Sequence, residues 1–209
     1  MSSRSSDALW IACAFCANFV AAGAVLVVLG TDERGLNAAL AATARLAFMV
    51  FLPAYCGGAL VSLFGGLFAP IKLHAREFGL AFASALLVHL GMVLWRTLAG
   101  DPPGAGLILF FGLGAVFAYL LALFSIPSLR NALGRTSWLV LNKVGMNYIA
   151  YAFFVDFAKH PLEGGAKRVM EYLPFVILAV AAPLLRLGAF ARRYIQEWWG
   201  RATAIRHGQ

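Results

Sequence analysis

Charge is what this sequence has least of. Asp, Glu, Lys and Arg make up 12% of its 209 residues, against roughly 25% in a soluble domain, and no polar stretch is long enough to fold separately. That excludes a soluble globular protein and leaves no room for a nucleotide- or flavin-binding domain, so such chemistry would have to come from a partner. Cysteine is scarce as well: Cys13, Cys16 and Cys56 all fall inside apolar runs. Cys13 and Cys16 have the C-x-x-C spacing of redox and zinc sites, but further ligands are missing nearby. Inside a membrane helix that spacing sets two small residues on one face. The histidines are His74, His89, His160 and His207, with none from Ala105 to Lys159. No Ser/His/Asp or Cys/His set falls at one depth, which removes hydrolase and other nucleophile chemistry.

What is present is apolar. Hydrophobic residues account for 62% of the chain and the mean hydropathy is +0.81. Six runs follow one another, at about 8–30, 38–68, 76–98, 104–126, 137–158 and 170–190, each near the roughly 20 residues that span a bilayer. The first is longer than the 7–15 residues, roughly, of a signal-peptide core and reads as a membrane helix. The expectation is an all-α integral membrane protein, with a six-transmembrane-helix bundle over 1–190. Its separators carry the charges and turn formers, such as Thr31 to Gly35 and Gly100-Asp101-Pro102-Pro103-Gly104.

The net charge of +8 is spread between the runs, which argues for topology and lipid headgroups as its role and against nucleic acid. With a cytoplasmic N-terminus, the inner side holds Arg4, Lys72, Arg76, Arg130, Arg135, Lys143, Arg186, Arg192, Arg193, Arg201 and Arg206. The outer side holds Arg34, Arg45, Arg96, Lys159, Lys167 and Arg168. The inner excess places both termini in the cytoplasm. On this reading every charged residue sits near a membrane face.

Within the second run, Ala54, Gly58, Ser62 and Gly66 recur every four residues, a small ridge suited to close helix packing. Pro53 is expected to bend that helix. From Leu187 onward Phe190, Tyr194, Ile195, Trp198 and Ile205 alternate at helical spacing with Arg192, Arg193, Gln196, Glu197 and Arg201. Residues 191–209 therefore read as a basic amphipathic cytoplasmic tail on the membrane surface or against a partner.

Two stretches carry a resemblance. Arg76, Gly79 and Leu80 open an apolar stretch that ends in Leu87, His89 and Leu90, and Leu133-Gly134-Arg135 with Trp138 leads into the fifth run. Together with six short spans, these are similar to ferric-reductase-like transmembrane domains, including the membrane haem subunit of bacterial periplasmic methionine-sulfoxide reductase systems. The resemblance implies a bacterial inner (cytoplasmic) membrane location. It also implies that the third and fifth helices face each other around b-type haem held between histidines, as ligand pairs across one porphyrin. His89 stands at the third-helix ligand position. On the fifth helix, where relatives read Leu-His-Arg, the chain reads Leu141-Asn142-Lys143, and where a second histidine is expected it has Val155 and Asp156. His160 is about 12 Å too far along its helix to share an iron with His89.

The remaining polar residues have ordinary structural readings. His89 is expected to be a neutral imidazole bonded to a backbone carbonyl or to Asn147, with Asn18 joining the contact. Arg96 is expected to neutralise Asp156 at the outer end, and Arg76 and Glu77 to pair near Asn142 at the inner surface. Three functions follow from the sequence. The first is a haem-free ferric-reductase-like bundle serving as accessory or assembly subunit of a larger membrane complex. The second is a haem b electron-transfer protein using His89, passing electrons from quinol or a flavoprotein partner to an outward-facing acceptor. The third is a small transporter. No catalytic constellation or metal site is expected, and the bilayer and a membrane-protein partner are.

Overall fold

Each apolar run contains one long helix in the computed structural model, which describes residues 2–163 and 165–207, and their side chains except those of 2–5, 160–163, 167 and 200–207. The long helices are α1 (Ser2–Leu29), α2 (Glu33–Phe64), α4 (Ala75–Leu98), α5 (Ala105–Leu123), α7 (Arg135–Glu163) and α8 (Ala166–His207). Two short helices, α3 (Ala69–Leu73) and α6 (Pro127–Leu133), join them at one end of the bundle, and no strand occurs among the described residues.

Five helices are long and apolar enough to cross a membrane: Ser6–Leu29, Glu33–Phe64, Ala75–Leu98, Ala105–Leu123 and Arg168–Trp199. The fold is therefore all-helical and of a multi-pass membrane type. The sixth long helix, α7, has the length but not the apolarity, because Asn142, Lys143, Asn147 and Asp156 interrupt it.

The ends are set by local chemistry. Asp32 caps α2 by accepting from the Gly35 amide at 3.0 Å, so this helix starts before the expected residue 38. The 38–68 run does not stay one helix. Gly65, at φ 83°, ends α2 with its amide on the Val61 carbonyl at 3.0 Å, a left-handed conformation that costs glycine little. After it come a 3₁₀ turn over Gly66–Phe68 and then α3. The C-terminal tail differs too: the boundary near residue 190 lies inside α8, which runs on without a break for 42 residues.

The small ridge is a correction. Gly58 has nothing near its Cα and is exposed, whereas its neighbour Gly57 is buried where an added Cβ would meet the Ile71 backbone of α3 at 3.3 Å. The close approach is thus one residue over, and it is made to the short connecting helix α3 rather than to another long helix.

Contacts give the helix directions. Phe51 meets Phe82 and Thr43 meets His89, so α2 and α4 run antiparallel. Gly114 lies against Tyr148 and Ala152, and Gly145 against Phe117 and Leu121, so α5 and α7 also run antiparallel. Phe157 reaches Tyr172 and Phe175, giving the same relation between α7 and α8. The centre is aromatic: Phe48 and Phe51 of α2 sit 5.0 and 5.7 Å from Phe153 of α7, and Phe82 of α4 closes the group at 6.0 Å from Phe153. Around this core, large apolar side chains face outward, Val27, Leu67 and Leu109 among them, as a lipid-facing surface requires.

Two arginines lie between α2 and α8, each on a tyrosine of the other helix. Arg45 of α2 stacks 4.2 Å above the Tyr172 ring, and Arg186 of α8 stacks 4.3 Å above Tyr55. Arg192 donates to the Ser62 and Leu63 carbonyls at 2.6 and 2.9 Å. These are among the final carbonyls of α2, which its own ladder leaves without donors.

Candidate functional site

Three polar side chains in apolar surroundings meet at one depth. Asn18, Thr43 and His89 each lie about ten residues, or about 15 Å, from the same end of α1, α2 and α4. Asn18 Nδ2 donates to the Ala85 carbonyl at 2.8 Å and to the Thr43 carbonyl at 3.4 Å. Thr43 Oγ1 lies 2.9 and 3.0 Å from the Ala39 and Leu40 carbonyls and 2.9 Å from His89 Nδ1. The hydroxyl has one proton. Given to a carbonyl, it leaves the oxygen free to accept from Nδ1–H, making two bonds, whereas given to Nδ1 it makes one. The network therefore assigns the Nδ1–H tautomer, with the Nε2 lone pair unprotonated. Asn147, a candidate partner of His89 from the sequence, is engaged elsewhere: it accepts from the Tyr55 hydroxyl at 2.8 Å and donates to the Lys143 carbonyl at 2.8 Å. The residue that sequence reasoning missed is Thr43. Equal depth was the signal, since a buried polar group needs a partner at its own level.

His89 stands at the floor of a cavity of about 1000 Å³. Its mouth is set by Asn37, Arg96, Pro103, Lys159 and Arg168, which all lie near the ends of their elements on one side of the bundle. One stripe of α2, from Asn37 through Ala41 and Ala44 to Arg45, forms a wall; α7 supplies Tyr151, Val155 and Asp156 opposite His89. Arg96 at the mouth binds the Asp101 carboxylate through Nε at 2.8 Å and through Nη2, and donates to Asn37 Oδ1 at 3.0 Å. Arg96 and Asp156 thus share a cavity, with Asp101 as the carboxylate on the guanidinium.

A second cavity, of about 290 Å³, opens at the other end between α4 and α7, and Arg76, Gly79, Trp138, Asn142 and Met146 line it. Arg76 and Asn142 share this lining, and the guanidinium bonds Asp7 at 2.8 and 3.0 Å and the Ser125 carbonyl at 3.3 Å. Glu77, expected beside it, lies 3.9 Å from His74. Between the two cavities lies an apolar slot of about 120 Å³ that touches His89, Phe82, Gly114 and Phe153.

No family model matches this chain, and no curated protein or solved structure does either.

The cleft between α4 and α7 is where the resemblance would place haem, and the residues there do not fit bis-histidine ligation. The outer cavity brings one imidazole, His89, against Tyr151, Val155 and Asp156. The inner cavity offers Asn142 and Met146 and no imidazole. An asparagine amide is a poor iron ligand, and a carboxylate does not stabilise ordinary low-spin haem. The side chains of His160 and His207 lie outside the described residues. Among the described residues no three of His, Cys, Asp and Glu gather as a metal site. Cys13 and Cys16 are exposed on α1, and Cys56 is buried with its thiol 4.0 Å from the Ala182 carbonyl.

The expectation that every charge sits near a membrane face is corrected by Arg45. It lies about twelve residues, or about 18 Å, along α2, and is accommodated because it borders the open cavity and two aromatic rings. A long apolar run hid it, since the sequence does not show which helix faces enclose water.

Proposed function

We propose that this chain is a haem-free six-span bundle in a bacterial cytoplasmic membrane, similar in layout to ferric-reductase-like transmembrane domains, and that it serves as an accessory or assembly subunit of a larger membrane complex. The alternating directions support six crossings. With α5 and α8 both spanning and both antiparallel to α7, the intervening 29-residue α7, about 43 Å long, is read as the return across the bilayer. Several of its polar residues face cavities or neighbours: Asn142 and Asp156 border cavities, and Asn147 holds Tyr55. The excess of Lys and Arg favours both termini inside, with the large cavity on the outer face.

The observation that carries the haem-free reading is the opposition of His89 to Tyr151, Val155 and Asp156 across the cleft. One geometric feature favours the alternative of a haem b electron carrier: Thr43 holds Nδ1, which leaves the Nε2 lone pair of His89 available to a metal. A visible spectrum of the protein purified from its own membranes separates the two. The expected result is a preparation without a Soret band that migrates in mild detergent with a second membrane protein. A Soret band abolished by His89→Ala overturns the proposal.

A further inference from the structure

Arg45, about 18 Å along α2, shares its cavity with two carboxylates, Asp156 and Glu171, yet is paired with neither. Its guanidinium lies over the rings of Tyr172 at 4.2 Å and Phe175 at 5.3 Å. Its Nε is buried without a hydrogen-bond partner, and it makes no ion pair with a carboxylate among the described residues. The guanidinium also hydrogen-bonds the Tyr172 side chain, but Nε is left without an acceptor, and the residue borders the 1000 Å³ cavity. Arginines inside a membrane ordinarily pair with another group or line a ligand or ion pathway.

The rest of the cavity specifies the anion. Arg96 is held by Asp101, and Lys159 and Arg168 at the mouth with Arg45 within outnumber the lining carboxylates Asp156 and Glu171, which favours the approach of a negative solute. Elsewhere the cavity wall is apolar, with Leu107, Phe110 and Phe111 from α5, and the adjoining slot is mostly apolar. A guanidinium fork recognises carboxylate or phosphate in two parallel hydrogen bonds, while the aromatic wall rewards burial of a hydrocarbon.

We infer that the outer cavity binds an acidic amphiphile, with its carboxylate or phosphate on Arg45 and its hydrocarbon part against α5. The site rests on the haem-free reading of the cleft, and it makes the bundle a receptor for a membrane-derived acid rather than an electron carrier.

Full-length protein in phosphatidylcholine nanodiscs is tested by equilibrium dialysis with radiolabelled octanoate, with acetate as the head-group control. The expected result is saturable binding of one octanoate per chain, at least tenfold tighter than acetate. Binding weakens at least tenfold in Arg45→Gln and is unchanged in Arg192→Gln, whose guanidinium lies at the far end of α2. If Arg45→Gln does not fold, Ala41→Phe obstructs the cavity, keeps the guanidinium, and is expected to show the same loss. Nanodiscs containing phosphatidylglycerol identify the source: competition with octanoate marks a lipid head group as the natural occupant, and no competition marks a free acid. Equal octanoate binding in wild type and Arg45→Gln, equal affinity for acetate and octanoate, or no saturable binding overturns the inference. A Soret band in the same sample overturns the haem-free reading, whereas a colourless sample that ignores octanoate overturns only the ligand.

Discussion

Thr43 on α2 holds the Nδ1 of His89 on α4 at 2.9 Å, with Thr43 fully buried and Asn18 of α1 donating to its carbonyl from the third helix. The hydroxyl therefore fixes both the ring orientation and the tautomer of the intramembrane histidine. Thr43→Val keeps the shape and removes the oxygen, so it is expected to cost about 1–3 kcal/mol by leaving Nδ1–H without a partner. Thr43→Val with His89→Leu is expected to recover most of that loss, because replacing both partners removes the unpaired group. Unfolding in mixed micelles measures both. A double variant no more stable than the Thr43→Val single variant would show that the bond does not hold the pair together.

The Tyr55 hydroxyl on Asn147 at 2.8 Å ties α2 to α7 close to where Arg186 covers the same tyrosine ring. Tyr55→Phe removes the hydrogen bond but keeps the ring, and is expected to lower stability by about 0.5–1.5 kcal/mol. A double-mutant cycle with Asn147→Ala is expected to give a coupling of similar size, and additive effects would show that the bond contributes nothing.

Glycine substitutions separate the packing that the structure uses from the packing the sequence pattern suggested. A Cβ at Gly35 collides with the Gly30 carbonyl across the α1–α2 turn, so Gly35→Ala is expected to abolish folding or to open that turn. Gly57→Ala presses on the Ile71 backbone of α3 at 3.3 Å and is expected to cost about 1–3 kcal/mol. Gly58→Ala points into open space and is expected to be neutral or stabilising by about 1 kcal/mol, through helix propensity. Expression level and melting temperature of the three variants give the order directly.

Topology has a simple readout. In a background with Cys13, Cys16 and Cys56 replaced by serine or alanine, a cysteine at Asp101 is expected to react with an impermeant maleimide from the outer side of intact cells. One at Asn131 is expected to react only after permeabilisation. The reverse pattern would invert the bundle and put the large cavity on the cytoplasmic side.

The helices were legible because an apolar run of about 20 residues has few alternatives in a bilayer. The site was partly legible. His89 and Asn18 stood out as polar residues in apolar runs; His89, Arg96 and Asp156 line one cavity and Arg76 and Asn142 another. Thr43 did not stand out, because threonine is common in membrane helices and its importance comes from which face of α2 meets α4. Arg45 was read as a surface charge, since sequence position gives depth but not whether a cavity reaches that depth. The partner of Arg96 proved to be Asp101, five residues on in the following loop, and that of Arg76 proved to be Asp7 of the first helix, whose proximity depends on tertiary packing that no local pattern encodes.

The unbroken α8 has a mechanical consequence. Its 42 residues reach about 63 Å, roughly twice the 30 Å or so of a bilayer's hydrocarbon. Its apolar part can therefore stay anchored while its basic end stands clear of the spans. Arg192 pins the helix to the end of α2. A swing of about 10° about that point would carry the far end, roughly 22 Å away, by about 4 Å, so the helix can act as a lever that converts a small repacking among the spans into a displacement beyond them.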